Sequence, residues 1–180
     1  MNSFPQTITI AGIKHSGKST LGRSLAAEKG FAFYDVDEVL SRQYNKSVRE
    51  LFRSIGEDEF RKIEAQTAKE LAEKNENKVI SLGGGAVNDC FFALKLQDLL
   101  GRMIMVDISD ETAEKRVFAN GVPAYLEKYS DPKAALREIN DSRRAKMREV
   151  CSVVYTACDT LSPEEQAVRF VNFLEQKDAL

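Results

Sequence analysis

Gly12-Ile13-Lys14-His15-Ser16-Gly17-Lys18-Ser19-Thr20 matches the spacing G-x-x-x-x-G-K-[ST]. The run before it, Thr7-Ile8-Thr9-Ile10-Ala11, is rich in β-branched residues and reads as a buried strand. After it, Leu21, Leu25, Ala26 and Ala27 recur at helical spacing within Ser19 to Glu28. Strand, glycine-bearing loop and helix start thus follow in the order that phosphate binding needs. The first N–H groups of a helix have no partner inside it and can turn toward an anion. Gly12 and Gly17 let that backbone come close, with Ser16 between them. The motif puts Lys18 against the β- and γ-phosphates and the Ser19 hydroxyl on Mg²⁺, with Thr20 following in the first turn. The plainer alternative is a strand-to-helix turn with an exposed lysine.

The rest of the chain bounds the answer. Its 180 residues predict one domain, 1–180, long enough to bury a core. A hydrophobic share of 43% with 30% charged residues fits a globular protein in water. The net charge of −2 gives no basic bias toward nucleic acid. No run of eighteen apolar residues predicts a membrane span, and Met1 to Gln6 does not read as a signal peptide. Cys90, Cys151 and Cys158 have no metal-type spacing and read as reduced, mostly buried thiols of a cytoplasmic protein.

Taken in order, Phe31 to Asp35 is a second strand, with Asp35 and Asp37 at its carboxyl end facing one way if the chain stays extended there. Ser47 and Glu50 form a capping-box pattern before Leu51, Phe52 and Ile55. A longer helix is expected over about 57–74, carrying Phe60, Ile63, Thr67 and Leu71. Lys78 to Leu82 is a third strand running into Gly83-Gly84-Gly85, followed by a helix near 88–99. Arg102 to Ile108 is a fourth strand, and Asp110 caps the helix that holds Ala113 and Val117. Asn120, Gly121, Pro123, Ser130 and Pro132 punctuate a polar stretch, 119–132, that reads as a mobile loop. A charged helix near 133–149, a fifth strand at Cys151 to Thr156 and a helix capped at Ser162 with Pro163 inside it complete the chain; the last helix shows Val168, Phe170, Val171 and Leu174 as its apolar residues.

Alternating strands and helices predict a parallel sheet covered on both faces, with strand ends gathered at one edge. Ligands bind at that edge in open α/β sheets. Two acids near a bound nucleotide can hold metal-bound water or accept a hydroxyl proton; the competing role for Asp35 and Asp37 is to cap the next helix. The triple glycine either admits a substrate to backbone N–H groups or makes a tight turn. Arg61, read alone, is a surface partner of Glu64 worth a few tenths of a kcal/mol (~0.2–0.5).

The spaced set resembles the shikimate kinases. The carriers are the loop Gly12 to Thr20, Asp35-Val36-Asp37, the run Phe52, Gly56-Glu57, Phe60-Arg61 and Glu64, and Val79 to Val87 with its three glycines. Arg143, with Glu149-Val150-Cys151 after it, is similar to a later family segment. The resemblance implies a three-layer α/β/α fold with a five-stranded parallel sheet in the order 2-3-1-4-5, substrate-binding helices over about 36–74 and a mobile lid over 119–132. It implies a monomeric phosphotransferase that uses ATP and Mg²⁺ to phosphorylate the 3-hydroxyl of shikimate. It implies catalytic roles for Lys18, Asp37 and Arg116, nucleotide contacts from Gly12, Ser16, Gly17, Lys18, Ser19, Thr20 and Arg116, and Mg²⁺ at Ser19 and Asp35, with Ser81 joining through water. Shikimate would meet Asp37, Arg61, Gly83, Gly84, Gly85 and Arg143, with Glu64 orienting Arg61 and Phe52 and Phe60 as walls. The departure is in the lid, where Val122-Pro123-Ala124-Tyr125-Leu126 stands in place of the family's R-P-L-L and holds no arginine. Arg116, Lys128 and Lys133 are the nearest substitutes in sequence. The change leaves open a shikimate kinase with a substitute cation, a kinase for another hydroxylated small molecule, and a nucleotide-binding regulatory relative without turnover.

Overall fold

The computed structural model describes residues 6–119 and 121–177; Asn120, expected in the lid loop, lies outside them, as do 1–5 and 178–180. Five parallel strands form one sheet: β1 (Thr7–Ala11), β2 (Ala32–Asp35), β3 (Lys78–Ser81), β4 (Arg102–Asp107) and β5 (Val153–Thr156), in the spatial order β2-β3-β1-β4-β5. The implied strand order is the one observed. Register puts Asp35 beside Ser81 and Ile10 beside Ser81 and Ile104, so the ends of β2, β3, β1 and β4 lie at one edge.

Alternation along the strands splits the core in two. Ile8, Ile10, Val79, Ile104 and Val106 point to one face, covered by α1 (Lys18–Lys29) and α9 (Pro163–Gln176) through Leu21, Leu25, Phe170 and Leu174. Ala11, Ile80, Met103 and Met105 point to the other. That face is covered by α2 (Val36–Tyr44), α3 (Val48–Ile55), α4 (Glu57–Ala72), α5 (Asp89–Ala93) and α6 (Leu96–Leu99), and Met147 of α8 (Pro132–Val150) joins them. Each of these Val, Leu, Ile, Phe and Met side chains contributes roughly 1.5–3 kcal/mol on burial. The remaining helix, α7 (Asp110–Phe118), buries Ala113 against Ile13 and Ile108.

The caps explain most boundaries. Gly30 ends α1 in the left-handed region with its N–H on Ala26 and Ala27 carbonyls, and Ser47 and Glu50 close the capping box of α3. Four expectations need correction. The helix expected at 88–99 is two short helices broken at Lys95, which takes φ 50°. On one continuous helix Phe91 and Leu96 would lie about 140° apart; the break lets both reach the core, where they are 0% and 1% exposed. Ser109, not Asp110, caps α7, its hydroxyl accepting from the Thr112 N–H, because Asp110 has already entered the first turn. Val168 lies on the solvent side of α9 at 62% exposure, and Gln166 takes a buried place instead. The cysteines are free but only partly buried.

Candidate active site

The loop between β1 and α1 turns on two left-handed residues, His15 at φ 61° and Gly17 at φ 92°. The Lys18 ammonium folds back under the loop and donates to the Ile13 carbonyl at 3.3 Å. It is buried, and burial draws its pKa down while Asp37 and Asp35 oppose that. Gly12 is required by contact: a Cβ there would lie 2.5 Å from both Ser16 Oγ and the Val106 carbonyl oxygen. Ser16 Oγ is buried and accepts or donates no hydrogen bond among the described residues. Thr20 lines the same cavity from the first turn of α1.

The Asp pair does not form two steps of one extended face. β2 ends at Asp35 and α2 begins at Val36, so the aspartates divide the work. Asp35 is the N-cap: its Oδ1 accepts from the N–H groups of Asp37 and Glu38 at 3.0 and 3.3 Å. Its other oxygen accepts from Ser19 Oγ at 2.5 Å, and Ser19 Oγ is 3.4 Å from Ser81 Oγ. One side chain therefore both caps α2 and holds the Ser19 hydroxyl. Asp37, in the first turn of α2, faces the cavity. Burial pushes its carboxyl pKa up, with Lys18 pulling it down and Asp35 adding to the rise.

The three glycines are there for close approach rather than for a special φ. A Cβ on Gly83 would run into the Glu64 carboxylate and come within 3.0 Å of Asp37 Oδ1. One on Gly84 would lie 2.8 Å from the Lys14 backbone nitrogen. One on Gly85 would lie 2.7 Å from Arg61 Nη2 and 2.9 Å from Arg143 Nη2. Two guanidiniums thus converge on one point. Arg61 Nη1 donates to Glu64 Oε2 at 2.8 Å, and the Glu64 side chain is 2% exposed, so this is a buried pair and not the surface pair expected from spacing. Burial raises the Glu64 pKa against the pull of Arg61, and burial works against the charge of Arg143. Phe52 and Phe60 stand edge to face at 5.4 Å, each with the Arg61 guanidinium over its ring.

A cavity of about 560 Å³ joins these groups: Gly17, Lys18, Ser19 and Thr20 at one end, Asp37 within, and Arg61, Gly84, Gly85 and Arg143 at the other, with Arg116 at the rim. Arg116 Nη1 donates to the His15 carbonyl at 3.1 Å, which ties α7 to the loop. Gly12, Ser16, Gly83 and Asp35 support the walls from behind. Lys128 and Lys133, the substitutes suggested by sequence, do not line it; Lys128 faces Glu57 at 3.7 Å and Lys133 faces Glu114 at 2.5 Å. The loop after α7 is better anchored than its composition suggests. It makes a 3-10 turn over Ala124–Leu126, buries Leu126 with Val117 and Leu136, and receives Arg49 Nη2 on the Val122 carbonyl at 2.8 Å. Arg49 and Arg53 both reach Glu127. Lys14, Arg49 and Tyr125 line the cavity and were missed: Lys14 and Tyr125 fall on positions their motifs leave unspecified, and nothing in the spacing marks Arg49.

The chain is similar to known proteins of one family. The shikimate kinase family model matches residues 14–175. The shikimate kinase of Streptomyces coelicolor is 30% identical over 172 residues, 96% of this chain and 97% of that protein. That of Helicobacter hepaticus is 35% identical over 114 residues, and the match spans 62% of this chain and 64% of the relative's length. Among solved structures, a shikimate kinase from Acinetobacter baumannii in complex with shikimate superposes with a TM-score of 0.81 at 24% identity, covering 97% of this chain and 95% of that one.

Proposed function

The chain belongs to the shikimate kinase family, and from that membership we infer that it transfers the γ-phosphoryl group of ATP to the 3-hydroxyl of shikimate. The observation that carries the reading is the convergence of Arg61 and Arg143 across Gly85 in the cavity that also holds Lys18 and Asp37. Two guanidiniums that close repel; Glu64 at 2.8 Å and Glu57 at 3.7 Å both pair with Arg61, and among the described residues no carboxylate pairs with Arg143. A carboxylate on the acceptor relieves that repulsion and matches the bidentate donor geometry of arginine. The same acid, bound there, extends toward Asp37 with the contacting rings of Phe52 and Phe60 as one wall.

Each residue then has a task. Gly12, Gly17 and the N-terminus of α1 cradle the phosphates of ATP, with Ser16 and Thr20 alongside and Arg116 at the nucleotide rim. Lys18 offsets charge on the γ-phosphate. Asp37 accepts the proton of the attacking hydroxyl, and its raised pKa makes it a better base than an ordinary aspartate. Gly83, Gly84 and Gly85 keep backbone within reach of the acid. The donor set at Ser19 and Asp35, with Ser81 behind, is all oxygen; it fits Mg²⁺, which takes one or two carboxylates and fills its shell with phosphate and water. When bound, Mg²⁺ neutralises charge on the β- and γ-phosphates. Among the described residues no helix is long and apolar enough to cross a membrane, and we read the chain as a cytoplasmic monomer of one domain.

The test is shikimate-dependent ADP release with Mg-ATP, using Lys18→Met as the blank. Turnover that also requires the carboxylate of the acceptor supports the reading. Equal turnover of an uncharged polyol overturns the acceptor, and ATP binding without turnover of any acceptor favours the second reading, a nucleotide-binding relative. That second reading rests on Val122, 37% exposed where the resemblance calls for a lid arginine.

A further inference from the structure

Lys14 is a cation of the cavity wall that no carboxylate meets in an ion pair among the described residues. It lies two residues into the loop, half-buried, and lines the cavity beside Asp37, Tyr125 and Arg143. Among the described residues neither Lys14 nor Lys18, the two lysines that line the cavity, makes an ion pair within 4 Å. The Lys14 ammonium stands 5.7 Å from the centroid of the Tyr125 ring, and the Arg143 guanidinium lies 5.0 Å from that ring. Burial draws the Lys14 pKa down, and Arg143 and Arg49 add to the fall; Asp37 is the one acid that opposes them. A flexible lysine can leave such a place for water. Its position is reasonable only if an anion arrives.

The place of that anion follows from the neighbours, given the kinase reading above. Lys14 and Lys18 both act on the Asp37 carboxylate. Lys18 belongs to the phosphate end of the cavity. Lys14 belongs to the acceptor end, with its backbone against Gly84 and its ammonium under the Tyr125 ring. The acceptor oxygen, held by Asp37, therefore lies between two lysines. We propose that Lys14 is the second cation of phosphoryl transfer in this chain, meeting the phosphoryl oxygens from the acceptor side as Lys18 meets them from the donor side. In that step the acceptor O–P bond forms and the bond from the γ-phosphorus to the β–γ bridging oxygen breaks. The electron pair leaves on ADP and the hydroxyl proton goes to Asp37. Lys14 donates N–H groups throughout and gains no proton.

The experiment compares wild type, Lys14→Met, Lys14→Gln and Lys14→Arg with shikimate and Mg-ATP, beside calorimetric binding of shikimate and shikimate 3-phosphate. Lys14→Met and Lys14→Gln are expected to lower kcat by about 10²-fold or more, with both KM values within about 3-fold, and Lys14→Arg to recover most of the loss. Wild type is expected to bind the phosphorylated acid more tightly than the free acid, and Lys14→Gln to erase that preference. Unchanged kcat in both neutral variants, or a loss confined to the KM of shikimate, overturns the role of Lys14 and leaves the kinase reading standing. A wild-type protein that neither binds nor phosphorylates shikimate overturns both. Should Lys14→Met fail to fold, Lys14→Gln and the binding comparison decide alone.

Discussion

Replacing Gly85 by alanine isolates the acid-binding end of the cavity from the rest of the fold. The added Cβ would lie 2.7 Å from Arg61 Nη2, 2.9 Å from Arg61 Cζ and 2.9 Å from Arg143 Nη2. An unstrained contact is about 3.5 Å, so each guanidinium must retreat by roughly 0.6–0.8 Å. A hydrogen bond of about 2.9 Å stretched by that much is no longer one. Each charge-assisted bond lost costs about 1.5–3 kcal/mol, so the KM for shikimate should rise about 10- to 150-fold for one arginine and further if both withdraw. The atoms displaced are the tips of flexible side chains, so stability should change by no more than about 1 kcal/mol, a Tm shift of roughly 2–4 °C. Gly84→Ala is the contrast. Its Cβ would meet the Lys14 backbone nitrogen at 2.8 Å and Cα at 3.1 Å, and backbone cannot swing aside. That variant should lose about 1–3 kcal/mol of stability. Steady-state kinetics and thermal unfolding on the two proteins read the outcome. An unchanged KM in Gly85→Ala would refute the claim that the two guanidiniums grip the acceptor, and an unshifted Tm in Gly84→Ala would refute the packing argument.

Three further outcomes are expected. Asp37→Asn should lower kcat/KM by about 10²-fold or more; in wild type the acid limb of the kcat/KM profile should lie above the pH of an ordinary aspartate, because burial raises this carboxyl and the base is lost as pH falls through that raised pKa. Arg144 donates to Asp107 at 2.8 Å, Asp110 at 2.6 Å and the Ile108 carbonyl at 2.9 Å, so Arg144→Ala should cost about 2–3 kcal/mol with KM values unchanged, as thermal unfolding and kinetics can check. Alkylation followed by mass spectrometry should modify Cys158 first, since a hydrogen bond with Thr160 draws its pKa down, and Cys151 last, since burial pushes that thiol to about 12.

How far the sequence could be read depended on whether local pattern or distant contact decides a feature. The β-branched run before the loop, the capping box at Ser47 and the cap at Ser162 are local, and they form as read. The strand order came from family resemblance, since periodicity carries no information on which strand pairs with which. The broken helix at Lys95 has no glycine or proline to announce it; the requirement that Phe91 and Leu96 both reach the core is a tertiary one. Asp35 was posed as either a cap or a site residue; it caps α2 and also accepts from Ser19 Oγ, because β2 passes into α2 with no intervening residue. Arg61 looked like half of a surface pair because spacing alone cannot tell that Glu64 lies beneath the glycines.

The lid shows the same limit from the other side. Its sequence lacks an arginine, and its polar composition suggests little to hold it, yet Arg49 and Arg53 hold Glu127 from α3 and Leu126 is fully buried. A lid that carries the arginine couples delivery of charge to closure. Here the cation that faces the acceptor side is Lys14, on the floor, and the lid presents Tyr125 to it. Under the proposal above, charge on the acceptor side stands on the cavity floor and needs no movement of the loop to arrive. The arrangement has a standing cost in the empty cavity, where burial and Arg143 disfavour the Lys14 charge and Asp37 alone supports it. A phosphoryl group arriving between Lys14 and Lys18 turns that cost into attraction at the point where negative charge accumulates, which is how a site built for the transition state differs from one built for the ground state.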